Sequence, residues 1–267
     1  MTTKTRGWVW VGLFALVSML AASTAAAQTA SRRPKFRVLV VNVPDVNHKD
    51  SGNAGLAAIK AMGVADNYTV DECVDYGVFT NQYLAPYDVM VWVMAAPLTW
   101  SDTSRAAFEH YVTSGRGWIG MHVAALTGIS KTPWPWFETY VGDMAFKGHP
   151  VRQNATVKLE PSAGAHPILK GVAPEFRVFE EWYSWNKSVR SRPGFTVLAS
   201  LDESSYDVGN LKMGDHPFVW TNDQYGRMLI MGFGHEPDIY SDPNVRTMLK
   251  NAIVWAAEKP AKTQVAK

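Results

Sequence analysis

Residues 117–128 read GWIGMHVAALTG. An apolar run, Gly117–Met121, leads into a single histidine, His122, and small residues follow it. An apolar run of this length bounded by glycine reads as a buried parallel strand. Gly120 and Ala124 flank His122 at minus two and plus two. A tight strand-to-helix turn presses those two positions together, so both must be small. The stretch therefore predicts a strand that ends in a sharp turn with an imidazole at its tip.

The sequence on either side repeats the pattern. Upstream, FRVLVVNV (Phe36–Val43), YTVDECV (Tyr68–Val74) and YDVMVWVM (Tyr87–Met94) read as three more strands. Between them lie a helix over Asn53–Gly63, with Gly63 expected as its C-terminal cap, and a short helical stretch around Gln82. Ser101 then caps DTSRAAFEHYVTSG, whose Ala106, Ala107, Tyr111 and Val112 share a face. Strands that alternate with helices predict a doubly wound α/β fold, a mostly parallel sheet flanked by helices. Such sheets bind ligands outside the carboxyl ends of their strands. His48, Trp100 and His122 fall in or beside those loops. Downstream, strand-like pieces appear at Ala155–Leu159, Thr196–Ser200, His216–Thr221 and Arg227–Phe233. The last, RMLIMGFGH, again ends in a histidine, His235. An amphipathic helix over Asp242–Glu258 closes the chain.

Residues 1–27 read as a secretory signal: Lys4 and Arg6, the apolar Trp8–Leu20, then Ala25-Ala26-Ala27 before a cut near Gln28. Residues 28–35 are a linker, 36–258 one domain, and 259–267 a frayed tail. This reading predicts a periplasmic or secreted protein without a stable membrane anchor. The net charge of +2 and the lack of a basic, aromatic-interleaved stripe argue against nucleic acid. The single cysteine, Cys73, cannot form an internal disulfide and reads as a structural thiol.

Several pieces, taken in order, carry a resemblance: residues 91–124, PWPWFETYVGDMAFKGHP (133–150), EEWYSW (180–185), LDESSY (201–206), MGDHPFVW (213–220) and GFGHEPDIYSDP (232–243). Together they resemble the ThuA-like, trehalose-utilisation family from about Phe36 to Glu258. The resemblance implies a class I glutamine-amidotransferase-like, flavodoxin-like α/β sandwich and a link to sugar metabolism. Amidotransferases of that fold carry a cysteine at the elbow, where this chain has His122. The histidine that assists that cysteine is similar in place to His235. An imidazole cannot replace a thiolate in forming a stable acyl intermediate, so glutaminase activity is expected to be absent. The chain departs from its relatives at Ala125-Leu126-Thr127, where many carry an acid, and at Glu236, where many carry threonine.

Five histidines lie at strand ends or loop starts: His48, His122, His149, His216 and His235. The resemblance draws His149 and His216 towards the site. Histidine titrates near neutrality and is the commonest metal ligand. Converging imidazoles suit a proton relay or a divalent metal such as zinc, with His48, His122, His149 and His235 as candidate ligands. No local HExxH spacing supports the metal, so it rests on convergence in space. His110 reads as a helix-surface residue and His166 as a turn residue before proline. The catalytic candidates are His122, His235 and Glu181, the last because flanking Trp182 would raise a buried carboxyl. Trp100, Trp136, Trp182, Tyr183, Asp215 and His216 are candidates for binding a small-molecule carbohydrate, by ring stacking or by hydroxyl recognition. The expected function is an enzyme (a hydrolase, lyase or isomerase) acting on a sugar or keto-sugar derivative by His/Glu acid–base chemistry, with or without a metal. The alternatives are a non-catalytic carbohydrate-binding module and a metal-binding or structural protein.

Overall fold

The apolar runs of the sequence become the strands of one sheet. A computed structural model describes residues 1, 2 and 33–258. The expected signal segment, most of the linker and the tail lie outside the described residues. The chain divides between Arg32 and Arg33, and the second unit carries the fold. Among the described residues no helix is long and apolar enough to cross a membrane.

Strand β1 (Arg37–Asn42) leads into helix α1 (Lys49–Asp66), then β2 (Thr69–Cys73), the short α2 (Asn81–Leu84) and β3 (Val89–Met94). Helix α3 (Asp102–Thr113) follows, with the Ser101 hydroxyl accepting from the Ser104 N–H as the sequence predicts. Strand β4 is Gly117–Met121. After α4 (Pro135–Val141) come β5 (Phe146–Gly148), β6 (Gln153–Leu159), β7 (Glu175–Glu180), β8 (Ser184–Trp185), β9 (Phe195–Asp202), β10 (Pro217–Asn222) and β11 (Met228–Met231). Helix α5 (Pro243–Ala257) closes the fold, capped by the Asp242 carboxylate.

The main sheet has the order β2-β1-β3-β4-β11-β10-β9-β6-β7. Its first five strands pair in parallel. From β11 onward every pairing is antiparallel. Two antiparallel steps restore direction, so β9 and β7 point the same way as the parallel strands. The carboxyl ends of β1, β3, β4, β11 and β7 therefore face one rim. Strands β3, β4 and β11 are buried along their whole length, which explains their unbroken apolar sequence.

Two local expectations change. Helix α1 runs through Gly63 to Asp66, and Asn67 (φ 62°) takes the left-handed position instead. Asn is the commonest non-glycine residue to do so. Ala106 is exposed, and Phe108 takes the buried place on α3. Strand β7 has no counterpart among the expected strands, although its burial alternates as a half-exposed strand requires.

Candidate metal centre

His122 sits where β4 meets a 3-10 turn, with φ 43°. A non-glycine residue with positive φ is strained unless its surroundings hold it there. Here the small-residue rule holds it. A Cβ on Gly120 would stand 2.9 Å from that of Ala124 and closer still to the Trp118 ring. From the other side, Gly234 (φ 143°) approaches so closely that a Cβ would lie 3.0 Å from the His122 Cβ. The imidazole is thus fixed between the ends of β4 and β11. The Trp185 indole N–H donates to the Ala125 carbonyl at 3.0 Å and ties down the turn.

Three imidazoles meet at this rim. The rings of His48, just before α1, of His122 and of His235, after β11, have centroids 4.8–5.3 Å apart. Glu181 follows β7 and places Oε2 3.4 Å from His122 Nε2 and 3.2 Å from His235 Nδ1. Neither contact is aligned as a hydrogen bond, because both ring nitrogens are buried without a partner among the described residues, as is His48 Nε2. Donor atoms from His48, His122, Glu181 and His235 all lie within 4.8 Å of one another. Ligand atoms around a tetrahedral zinc stand about 3.4 Å apart, given metal–nitrogen bonds of ~2.0–2.1 Å.

The outer contacts fix which nitrogen faces inward. His48 Nδ1 lies 2.7 Å from the Asp45 carboxylate, and His122 Nδ1 lies 3.3 Å from the Gly232 carbonyl. Both partners can only accept, so each Nδ1 carries the proton and each Nε2 presents its lone pair inward. Burial pushes the His122 imidazole down to about 4, which keeps it neutral. Burial opposes charge on Glu181 too, but the imidazoles around it outweigh that and hold its carboxyl well below the ordinary value. The Glu181 contact, against a smaller opposing effect of burial, raises His235.

Glu180, next in the chain, has a different task. Its carboxylate is fully buried and accepts the backbone N–H groups of Gly234 (2.9 Å), His235 (3.1 Å) and Glu236 (3.2 Å), as well as that of Glu181 (2.8 Å). It clamps the end of β7 to the loop after β11 and so sets His235 against Glu181. Burial pushes its carboxyl up to about 8, against the pull of these donors. The sequence singles out Glu181 beside Trp182 and leaves Glu180 unassigned. Little in the local sequence marks Glu180, since three of its four donors lie 54–56 residues away.

The profile of the trehalose-utilisation family, ThuA, matches residues 37–256. The chain belongs to the ThuA family. Among solved structures, a ThuA-like protein from Bacteroides uniformis is 28% identical, with a TM-score of 0.76 over 84% of this chain and 92% of its own. A ThuA-like protein from Parabacteroides merdae is 16% identical, with a TM-score of 0.65 over 88% and 94%. The glutaminase domain of Trypanosoma brucei CTPS with bound acivicin shares the fold at 13% identity, with a TM-score of 0.52 over 85% and 95%. No curated protein sequence matches. In this ThuA-family chain the elbow carries His122, while the lone cysteine, Cys73, ends β2, on the far side of β1 and β3 from β4. Burial pushes its thiol up.

The other site residues expected from the sequence of this ThuA-family protein separate. His149, at the end of β5, does not join the four clustered donors. It is half-exposed beside them, with Nδ1 3.2 Å from Glu181 Oε1, and the β5–β8 ribbon brings it there. Tyr183 lies over His122, ring centroids 4.3 Å apart. His216 is buried behind Tyr183: Nε2 is 2.8 Å from the Tyr183 carbonyl and Nδ1 is 3.0 Å from the Glu203 carboxylate. It is a strut with no nitrogen left for a substrate. Asp215 is taken up by Arg190 and Ser188. Trp182 is fully buried and donates to the Gln153 carbonyl, so its ring is core. Trp100 is buried behind Tyr76, to which it stacks at 4.3 Å. Trp136 stacks on Tyr140 and on Tyr225, in the turn before β11, so it stands at the opposite end of that strand from His235. Asp45, Glu180 and Tyr76 are the positions that sequence reasoning missed.

Proposed function

We propose that this chain is a metal-assisted enzyme acting on a sugar or keto-sugar derivative. One observation carries the reading: three buried imidazole nitrogens, on His48, His122 and His235, have no hydrogen-bond partner among the described residues and surround an ionised carboxylate, Glu181. Buried polar atoms are rarely left unsatisfied in a native protein. Inward-facing lone pairs with a carboxylate are the donor set a divalent cation takes. Membership of the trehalose-utilisation family supports the carbohydrate side.

His48, His122, His235 and Glu181 would hold the ion. These four side chains would supply the nitrogen and oxygen donors that suit a divalent cation such as zinc. When bound, the ion supplies a Lewis acid that polarises a sugar carbonyl or hydroxyl oxygen. Asp45 and the Gly232 carbonyl hold the His48 and His122 rings in the ligating tautomer. His149 is the imidazole open to solvent and takes the proton from the carbon beside the sugar carbonyl. The electron pair released from that C–H bond moves onto the carbonyl oxygen. Glutaminase chemistry has no thiolate at this elbow. The signal-like N-terminus adds the further proposal that the enzyme works in the periplasm or outside the cell.

The test uses mature protein purified without a histidine tag. Elemental analysis is expected to find one divalent metal per chain. Turnover of keto-sugars or disaccharides is expected to stop on chelation and return on reloading. Turnover that survives chelation, or a metal content unchanged in His48→Ala, His122→Ala and His235→Ala, would overturn the reading.

A further inference from the structure

A cavity of about 230 Å³ opens beside the centre, between the loop after β1, the end of β3 and the turn after β4. His48 belongs both to its wall and to the four-donor cluster, so whatever fills it lies against the centre. At ~30 Å³ per water the space holds about eight waters, which is room for one six-membered ring. It falls below the ~300 Å³ at which pockets for larger ligands begin.

The lining has two characters. Met94, Leu98, Val123 and Leu126 are apolar, and Tyr76 adds an aromatic face. Tyr76 stacks flat on Trp100, with an interplanar angle of 7°, so Trp100 backs one face of the ring while the residue lines the cavity. A rigid aromatic plate of this kind suits the C–H face of a pyranose. Polar groups stand at two points of the wall. Asp45 uses only Oδ1 for His48 and its own loop, leaving Oδ2 for a hydroxyl. Thr99 Oγ1 and Tyr76 Oη pair at 2.5 Å. Among the described residues no lysine or arginine lines the cavity, and its fixed charge is the Asp45 carboxylate. In the metal-free protein a phosphate or carboxylate on the ligand would meet this like charge with no cation in the lining to offset it.

We propose that this cavity is the sugar subsite and that it takes a single neutral, unphosphorylated pyranose ring, seated on Tyr76 with its reacting edge towards His48. This deepens the proposed function and rests on it for the reacting edge alone. The ring the sequence suggested for stacking, Trp100, is one layer behind the plate. Leu126, in the segment where relatives carry an acid, is part of the apolar wall.

The test measures binding apart from chemistry. Calorimetric titration of metal-free and metal-loaded protein uses methyl α-glucoside and glucose 6-phosphate as probes. The glucoside is expected to bind both forms and the phosphate to be refused by the metal-free form. Leu98→Trp, which fills the cavity, is expected to weaken glucoside binding at least about ten-fold with metal content unchanged. Tyr76→Ala is expected to do the same, while Tyr76→Phe keeps the plate and most of the affinity. Circular dichroism checks that each variant is folded. Equal binding of the phosphate by metal-free protein, no binding of the glucoside, or indifference to both Leu98→Trp and Tyr76→Ala would overturn the subsite while leaving the metal reading standing. A metal-free wild type that binds glucoside keeps the subsite even where the metal reading fails.

Discussion

The two halves of the sheet reach the centre by different routes. The parallel half, β2-β1-β3-β4-β11, delivers His48, His122 and His235 from loops at its carboxyl ends, as a doubly wound topology dictates. The antiparallel half has no such rule. It delivers Glu181 from its outermost strand, β7, and only because Glu180 draws that strand's end onto the backbone after β11. Topology places the imidazoles, and one buried carboxylate places the other. Regular architecture builds three sides of the site, and a single non-local contact closes the fourth.

The comparison is sharpest for the ligands themselves. His122→Ala, from the parallel half, and Glu181→Ala, from the antiparallel half, are each expected to weaken metal binding by more than the ~10–100-fold that an outer-sphere partner costs. If both halves serve one centre, the double variant loses little beyond either single one. Titration of stripped protein with zinc or manganese reads this directly, and additive losses would separate the halves. Glu180→Ala comes next. It strands four backbone donors and is expected to cost ~3 kcal/mol in chemical denaturation, with His235 displaced from Glu181.

A smaller effect comes from pH. His122 is pushed down to about 4 in the folded protein, against ~6.5 unfolded. Between those values the unfolded chain binds the extra proton, so this residue makes stability rise as pH rises across that window. The contribution to metal-free protein is at most ~3 kcal/mol and is complete above the unfolded value. Urea melts from pH 4 to pH 7 should show that rise, and His122→Asn should flatten it. The smallest expected effect is that of Trp136→Ala. Its ring is remote from the rim, so metal content and sugar binding should both stay at wild-type values. A loss of sugar binding there, with His122→Ala harmless, would favour a non-catalytic carbohydrate-binding module instead.

The division also explains what could be read in the sequence. The strands around Gly117–Met121 and Met228–Met231 are unbroken apolar runs because both their faces are covered, and each announces the histidine after it. Strand β7 is half-exposed and alternates over only six residues, a weak signal beside Val38–Val41 or Val89–Met94. Glu181 could be singled out among aromatics, but its neighbour's role depends on residues 54–56 positions away. Aromatic residues misled for a related reason. Trp100 and Trp182 stand in irregular sequence, which looks exposed, yet both are buried, Trp100 against Trp92 and Trp134, and Trp182 against Phe218 and Phe233. His216 looked like a site residue and is one step removed, bracing the carbonyl of Tyr183.

The four donors come from residues 48, 122, 181 and 235, scattered along nearly the whole described chain. Any fragment that stops short of residue 235, some twenty residues before the end of α5, lacks the full set. On the proposed function, loading would follow folding, and the ion captured would be the one abundant wherever folding finishes. For a chain that crosses a membrane before it folds, the compartment would choose the metal.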